Sequence, residues 1–262
     1  MNALEFQKAK RENRKLSMLT CYDAWSAKIL ADTPVDALLI GDSVAMVVHG
    51  FDSTVHATTA MMALHTAAVA RGAKSKFIVS DMPFLSVRKG LSHAMNCVEQ
   101  LMQAGACAVK IEGVQGHEDI IEAIVASGIP VMGHLGLTPQ SVHAFGGFKV
   151  QARSETAAAF LVEQAKTLQN LGCFSLVLEC VPTPVAKSVS ELLEIPTIGI
   201  GAGPYCDGQI LVLQDMLGMN ADFSPKFLKK YFLGQKELSL AVSQYCKEVS
   251  NAEFPTLKES YE

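Results

Sequence analysis

The chain has 262 residues, of which 49% are apolar and 18% are charged, and its formal net charge is −4. This composition supports a large core within one domain, and the weakly negative charge excludes the strongly basic surface of a nucleic-acid-binding protein. No apolar stretch approaches the roughly 18 residues of a membrane-spanning helix, so we expect no membrane segment. Seven scattered cysteines without a C-x-x-C pair are typical of reduced thiols, and we therefore expect a cytoplasmic protein.

Short apolar runs alternate with helical segments along the whole chain. The predicted strands are Leu16–Cys21, Ala37–Gly41, Phe77–Ser80, Ala108–Ile111, Pro130–His134, Ser175–Leu178, Thr197–Ile200 and Gln209–Leu213. The predicted helices are Ala24–Ala31, Thr58–Arg71, Leu91–Ala104, His117–Ala126, Glu155–Leu171, Thr183–Leu193 and a final one from Pro225 to Val249. Continuous apolar runs indicate strands buried on both faces, as in parallel sheets. Eight of them with intervening helices predict an α/β protein, a single-domain (β/α)8 TIM barrel over residues 1–262 with a C-terminal helical extension.

Acidic residues close four of the predicted strands. Asp42 follows the second strand, Asp81 the third, Glu112 the fourth and Glu179 the sixth. A buried carboxylate is costly unless it is paired or holds a cation, and the carboxyl ends of barrel strands form the active face. The pattern therefore predicts a metal-assisted active site. The alternative for a single strand-end aspartate is a helix cap or a turn.

The first two of these acids are predicted to share a metal ion. Asp42 and Asp81 end neighbouring strands, which lie about 4.8 Å apart in a sheet. Glu112 ends the next strand and is predicted to reach the ion or its bound waters. A site of oxygen ligands with few carboxylates suits Mg²⁺, which retains several waters.

Two polar residues near these acids are predicted to bind an anionic substrate. Lys110 lies two residues before Glu112, so both side chains point to the barrel interior. We expect it to bind a substrate carboxylate or enolate, and the alternative is a salt bridge to Glu112 or Asp81 without a substrate role. Ser43 adjoins Asp42 and is predicted to donate a hydrogen bond to the same anion.

Glu179 and His134 complete the predicted site. Glu179 lies between Leu178 and Cys180, and this apolar setting favours a general base that removes a proton next to a metal-chelated carbonyl. The alternative is a structural ion pair. His134 ends the fifth strand and is predicted to bind substrate or position a neighbour, with a core histidine as the alternative reading.

Several short stretches carry a resemblance to one known family. They are Thr20–Ala24, Gly41–Ser43, Asp52–Thr54, His65–Val69, Asp81–Phe84, Val109–Gly113, Gly133–Ser141, Phe145–Gln151, Leu178–Pro182, Ile198–Gly203 and Asp207–Val212. Through them the chain resembles the ketopantoate hydroxymethyltransferase family from about residue 10 to about residue 250. The block from Gly133 to Gln151 is the most specific of them.

The resemblance implies a (β/α)8 barrel that uses Mg²⁺ and transfers a hydroxymethyl group from the co-substrate 5,10-methylenetetrahydrofolate to 3-methyl-2-oxobutanoate (α-ketoisovalerate). The product would be ketopantoate, in pantothenate and coenzyme A synthesis. A homodecamer is implied as well. The implied roles are metal binding for Asp42, Asp81 and Glu112, substrate contact for Asp42, Ser43, Asp81 and Lys110, and proton abstraction for Glu179.

The chain departs from the family pattern at Phe51, His56, Val114 and Ala152, none of which is a predicted catalytic group. Two other functions stay open. One is a related Mg²⁺-dependent 2-oxo acid lyase or mutase of the phosphoenolpyruvate mutase and isocitrate lyase group, although the reactive-cysteine motif usual there is not recognised. The other is a non-catalytic oligomeric scaffold, against which the intact buried charges argue.

Overall fold

The computed structural model describes residues 1–261, and the chain forms two compact units that meet in sequence between Leu211 and Val212. The first unit is a closed barrel of eight parallel strands in sequence order. The strands are β1 Leu16–Thr20, β2 Ala37–Ile40, β3 Phe77–Asp81, β4 Ala108–Glu112, β5 Val131–Gly136, β6 Ser175–Glu179, β7 Thr197–Ile200 and β8 Gly208–Leu211. The predicted (β/α)8 fold is confirmed, and each predicted strand boundary lies within two residues of the observed one.

In the first unit one helix precedes β1 and the others lie between successive strands up to β7. They are α1 Ala3–Arg11, α2 Ala24–Ala31, α3 Val44–Val47, α4 Thr59–Gly72, α5 Leu91–Gln103, α6 Glu118–Ala126, α7 Val142–Phe145, α8 Glu155–Asn170 and α9 Thr183–Leu192. Helices α2, α4 and α8 begin at polar caps, where the side chains of Asp23, Thr58 and Ser154 accept a hydrogen bond from a backbone N–H of the first turn. These caps set the points at which the chain turns from loop into helix.

Helix α1 is an element that the sequence analysis did not predict. Its residue Phe6 is fully buried and packs against Phe77 and Phe174, with ring centroids 5.6 and 5.3 Å away. Phe77 is the first residue of β3, and Phe174 directly precedes β6. Helix α1 therefore closes the amino-terminal end of the barrel and leaves the carboxyl ends of the strands for the site.

Strand register determines which side chains meet at those carboxyl ends. Asp81 of β3 pairs with Lys110 of β4, and Glu112 of β4 pairs with His134 of β5. Gly136 of β5 pairs with Glu179 of β6. Four neighbouring strands thus bring acidic and basic groups to one end of the barrel.

The second unit contains α10 Leu213–Met216 and α11 Gly234–Ser250. The predicted helix from Pro225 to Val249 is therefore wrong over its first nine residues. Backbone N–H groups of Tyr231 and Gly234 donate instead to the carbonyls of Met216 and Leu217, so the chain before α11 forms bonds that a helix would exclude. None of the helices within residues 1–261 is both long and apolar enough to cross a membrane.

Candidate active site

The four predicted acids lie where the sequence placed them, at the carboxyl ends of barrel strands. Asp81, Glu112 and Glu179 are the last residues of β3, β4 and β6, and Asp42 lies two residues beyond β2. Asp42 and Asp81 are buried, with 3% and 2% of their surface exposed. The Glu179 side chain is 18% exposed, so the proposed base is the most accessible acid of those in ion-pair contact here.

Lys110 joins three of the site residues. Its Nζ lies 3.1 Å from Oδ1 of Asp81, 3.8 Å from Oε1 of Glu112 and 3.0 Å from Nδ1 of His134. Burial opposes the charged form, but the carboxylates of Asp81, Glu112 and Asp42 outweigh it and raise the pKa of Lys110. Lys110 is therefore a buried cation, and the salt bridges considered as its alternative role are present. Direct contact with a substrate stays a prediction.

His134 lies between Lys110 and Glu179. An ammonium group only donates hydrogen bonds, so Nδ1 of His134 is the acceptor and the ring proton is on Nε2. Nε2 lies 3.3 Å from Oε2 of Glu179, in a contact that is less well aligned than a full hydrogen bond. Burial, followed by the charge of Lys110, lowers the pKa of His134, which keeps the imidazole neutral. This geometry favours positioning of Glu179, while substrate binding by His134 stays a prediction.

Gln140 is a site residue that sequence reasoning missed. It belongs to the 3₁₀ turn Pro139–Ser141, which follows β5. Its Nε2 donates to Oδ2 of Asp42 at 2.8 Å and to the carbonyl of Met82 at 2.9 Å, and its backbone N–H donates to Oε2 of Glu112 at 3.0 Å. Its side chain is uncharged, so the pattern of charged residues that identified the acids could not identify Gln140. The one sequence signal was its position within Gly133–Ser141, a stretch that carries the family resemblance.

Tyr22 is a second residue that was not singled out. Its hydroxyl lies 2.8 Å from Oγ of Ser43, and the ring is almost fully buried. Burial raises the pKa of Tyr22 further above its usual value of 10.0, so the phenol stays protonated. Ser43, which is half-buried, is thus held beside Asp42, where the sequence predicted a contact with an anion.

The acids of this site fit a hard divalent cation. Oδ1 of Asp81 and Oε1 of Glu112 are buried and accept no hydrogen bond, although Lys110 is near both. Burial, followed by the charges of Glu112 and Asp81, raises the pKa of Asp42 well above its usual value. Burial also raises the pKa values of Asp81 and Glu112. Three carboxyl groups here face the single ammonium group of Lys110, so a bound cation would favour their charged forms, and oxygen ligands suit Mg²⁺.

The predicted ligands Asp42, Asp81 and Glu112 do not form a ready three-carboxylate cage. Over residues 1–261, no three His, Cys, Asp or Glu side chains converge as a metal-binding group. Glu112 is instead engaged by the backbone of Gln140 and lies near His134. Two carboxylates are compatible with Mg²⁺, because this ion commonly keeps several waters and is completed by substrate oxygens.

The backbone around Glu179 is tightly constrained. Cys180 has a φ of 48°, in the left-handed region that residues other than glycine rarely adopt. Gly136 has a φ of 93°, and a Cβ atom there would collide with the carbonyl of Glu179. Strained backbone that the surrounding structure maintains is concentrated at functional sites. The local chain therefore fixes the position of the proposed base.

Comparisons with known proteins point in one direction. A family model described as ketopantoate hydroxymethyltransferase matches residues 1–257. A 3-methyl-2-oxobutanoate hydroxymethyltransferase from Bdellovibrio bacteriovorus is 55% identical over 258 residues, which cover 98% of each chain. One from Francisella tularensis subsp. novicida is 53% identical over 100% of this chain and 98% of the relative. Another from Coxiella burnetii is 52% identical over 98% and 97% of the two chains.

Solved structures resemble the chain in fold. Phosphonopyruvate hydrolase has a TM-score of 0.65 at 12% identity and covers 99% of this chain and 93% of its own. Phosphoenolpyruvate phosphomutase from Streptomyces platensis subsp. rosaceus has a TM-score of 0.64 at 12% identity, over 96% and 88% of the two chains. At these identities the likeness concerns the barrel alone.

Proposed function

The chain belongs to the ketopantoate hydroxymethyltransferase family, and on that premise we propose that this enzyme transfers a hydroxymethyl group from 5,10-methylenetetrahydrofolate to 3-methyl-2-oxobutanoate, which yields ketopantoate. The observation that carries the proposal is the continuous set of contacts from Asp81 through Lys110 and His134 to Glu179. These contacts place a buried cation, Lys110, which can bind an anionic oxo acid, near an accessible carboxylate, Glu179, which can act as the base.

We propose that Asp42 and Asp81 hold a Mg²⁺ ion, with Glu112 acting directly or through a bound water. When bound, the ion would withdraw electron density from the oxo and carboxylate oxygens of the substrate, which makes the hydrogen on C3 more acidic. Lys110 adds a fixed positive charge beside this position, and Ser43 supplies a hydroxyl group. Both would bind the substrate anion and stabilise the negative charge that develops on its oxo oxygen.

Glu179 is the proposed general base. Its carboxylate takes the proton from C3, and His134 holds that carboxylate through its neutral Nε2–H group. One C–N bond of the folate's methylene bridge opens to give an iminium ion, that nitrogen takes up a proton, and the C3 carbon forms a bond with the methylene carbon. Water then replaces the second nitrogen on this carbon: its oxygen becomes the product hydroxyl, a proton goes to the departing nitrogen, and tetrahydrofolate leaves. General-base help of this kind contributes typically about 10²–10⁴-fold in rate.

The test is a reconstituted assay of the purified protein with Mg²⁺, 3-methyl-2-oxobutanoate and 5,10-methylenetetrahydrofolate, followed for ketopantoate. We expect product only when all three are present, and loss of product after removal of metal with EDTA. Consumption of 3-methyl-2-oxobutanoate at the same rate without the folate, and without formation of ketopantoate, would contradict the proposed donor and favour lyase or mutase chemistry. Absence of turnover in the complete mixture would contradict the proposed reaction.

We also propose that the chain assembles as a homodecamer, as the family resemblance implies. Exposed apolar side chains on α11 support self-association, since Leu240, Val242 and Tyr245 each have more than half of their surface exposed. Sedimentation equilibrium is expected to give about ten times the chain mass of 28.1 kDa. A mass equal to one chain would contradict the assembly.

A further inference from the structure

The 3₁₀ turn after β5 is attached to three separate parts of the barrel end by one residue. Gln140 bonds through Nε2 to the side chain of Asp42, beyond β2, and to the carbonyl of Met82, beyond β3. Through its backbone N–H it bonds to the side chain of Glu112, the last residue of β4. All three bonds are between 2.8 and 3.0 Å long.

The two side-chain bonds fix the orientation of the Gln140 amide. Its NH₂ group has two protons, and both are used, one by a carboxylate and one by a carbonyl. Neither acceptor can bond to the amide oxygen, so the amide cannot rotate by half a turn without losing both bonds. The bond to Asp42 is charge-assisted, and such bonds are about twice as strong as neutral ones.

The Gln140 amide matters more for the position of the Asp42 carboxylate than for those of Asp81 and Glu112. Lys110 forms ion pairs with Asp81 and Glu112, whereas the Asp42 carboxylate accepts a hydrogen bond from the Gln140 amide. The three carboxylates repel one another, so an unheld Asp42 side chain would turn away from Asp81 and Glu112. The backbone N–H of Asp42 donates to Oδ2 of Asp81, and this bond does not restrain the Asp42 side chain.

We propose that Gln140 is a positioning residue that holds the carboxylates of Asp42 and Glu112 in place for the divalent cation. This inference rests on the metal site in the proposed function. It adds that the turn after β5 is part of the metal site, although it supplies no ligand. Groups that orient ligand carboxylates typically contribute about 10–100-fold to metal affinity.

The test measures binding of Mn²⁺, as a paramagnetic probe for the Mg²⁺ site, from the free-ion electron paramagnetic resonance signal. Gln140→Met removes both side-chain donors, keeps the length of the side chain and retains the backbone bond to Glu112. We expect the Kd for Mn²⁺ to rise about 10–100-fold. Turnover of this variant should recover as the Mg²⁺ concentration is raised. The substitution should therefore increase the Mg²⁺ concentration needed for half-maximal activity and leave kcat at saturating Mg²⁺ unchanged.

A matched control is Gln103→Leu. Gln103 is exposed at the end of α5, a helix that carries none of the proposed ligands, and its Nε2 donates to a carboxylate oxygen of Glu99 at 3.1 Å. This variant removes the same type of bond and is expected to keep the wild-type Kd. A variant that is partly unfolded loses binding sites without changing the Kd of the folded fraction, so the Kd separates positioning from simple destabilisation.

Coupling to Asp42 provides the second measurement. If Gln140 acts through Asp42, Gln140→Met should change the Mn²⁺ affinity of an Asp42→Ala protein by less than about twofold, because interacting residues are not additive. A wild-type Kd in Gln140→Met, or a full additional loss in the Asp42→Ala background, would overturn the inference. Failure of the wild-type protein to bind Mn²⁺ would overturn the metal site itself. Mn²⁺ binding with the expected variant effects but without hydroxymethyl transfer would support Gln140 and contradict only the reaction.

Discussion

The imidazole Nε2 of His134 lies 3.3 Å from Oε2 of Glu179, while Nδ1 of the same ring lies 3.0 Å from Nζ of Lys110. One neutral ring therefore joins the buried cation of the site to its most accessible carboxylate. Because Lys110 determines which ring nitrogen carries the proton, it also determines that the proton of His134 faces Glu179.

The first prediction concerns this contact. His134→Gln should lower kcat by about 10²-fold, since small misplacements of a reacting group cost about that factor. Binding of 3-methyl-2-oxobutanoate, measured by calorimetry, should change much less. His56→Gln, at an exposed histidine, is the control and should leave kcat unaltered. An unchanged kcat in His134→Gln would show that Glu179 does not depend on the ring for its position.

The second prediction concerns the buried charge of Lys110. Lys110→Met leaves Asp81 and Glu112 without their cation, and breaking a buried ion pair costs about 3–5 kcal/mol. Urea unfolding in EDTA should show this loss in the free energy of unfolding. Lys166→Met is the matched control, because Lys166 pairs with Glu163 at 3.0 Å on the surface and such pairs contribute about 0–1 kcal/mol. Equal losses in the two variants would contradict the buried ion pair.

The third prediction concerns pH and metal. The pKa values of Asp42, Asp81 and Glu112 are raised above their usual 3.8, 3.8 and 4.5, mainly by burial. The folded protein then holds more protons than the unfolded chain above about pH 4, so without metal its free energy of unfolding falls as pH rises through the raised pKa values. Mg²⁺ competes with these protons.

The increase in Tm on addition of Mg²⁺ should therefore be larger at about pH 8 than at about pH 5. Differential scanning calorimetry with and without EDTA measures this difference. An increase of the same size at both pH values would indicate that these carboxylates do not bind the ion.

The fourth prediction concerns Gly136. Gly136→Ala introduces a Cβ atom against the carbonyl of Glu179 at a φ of 93°, so the turn after β5 or the end of β6 must move. We expect a loss of about 1–3 kcal/mol in stability from the strained backbone. Activity should fall further than the unfolded fraction explains. Gly128→Ala, also at positive φ but with open space around it, is the control and should lower stability without lowering kcat.

The acids at the strand ends could be predicted from the sequence because burying a charged side chain has a large energetic cost. Charged residues at the ends of largely apolar runs are rarely buried without a partner or a cation. Parallel strands bring those ends to one edge, which explains why Asp81, Lys110, Glu112 and His134 were expected to lie together. The regular alternation of strand and helix likewise predicted the barrel.

Other features could not be predicted because their cause lies in distant contacts. Helix α1 is stabilised by burial of Phe6 between Phe77 and Phe174, which its own short pattern does not reveal. The residues from Pro225 to Leu233 have helical composition, but the backbone N–H of Tyr231 bonds to the carbonyl of Met216, in another segment of the same unit. Gln140 carries no charge, so only its contacts identify it.

The central claim is that Glu179 removes the C3 proton of the oxo acid while the metal and Lys110 hold the substrate. The most direct measurement is exchange of that hydrogen with deuterium from solvent, followed by NMR with Mg²⁺ and without folate. The wild-type protein should catalyse exchange, and Glu179→Gln should slow it by about 10²–10⁴-fold while still binding the substrate. Exchange at the wild-type rate in Glu179→Gln would contradict the assignment of the base.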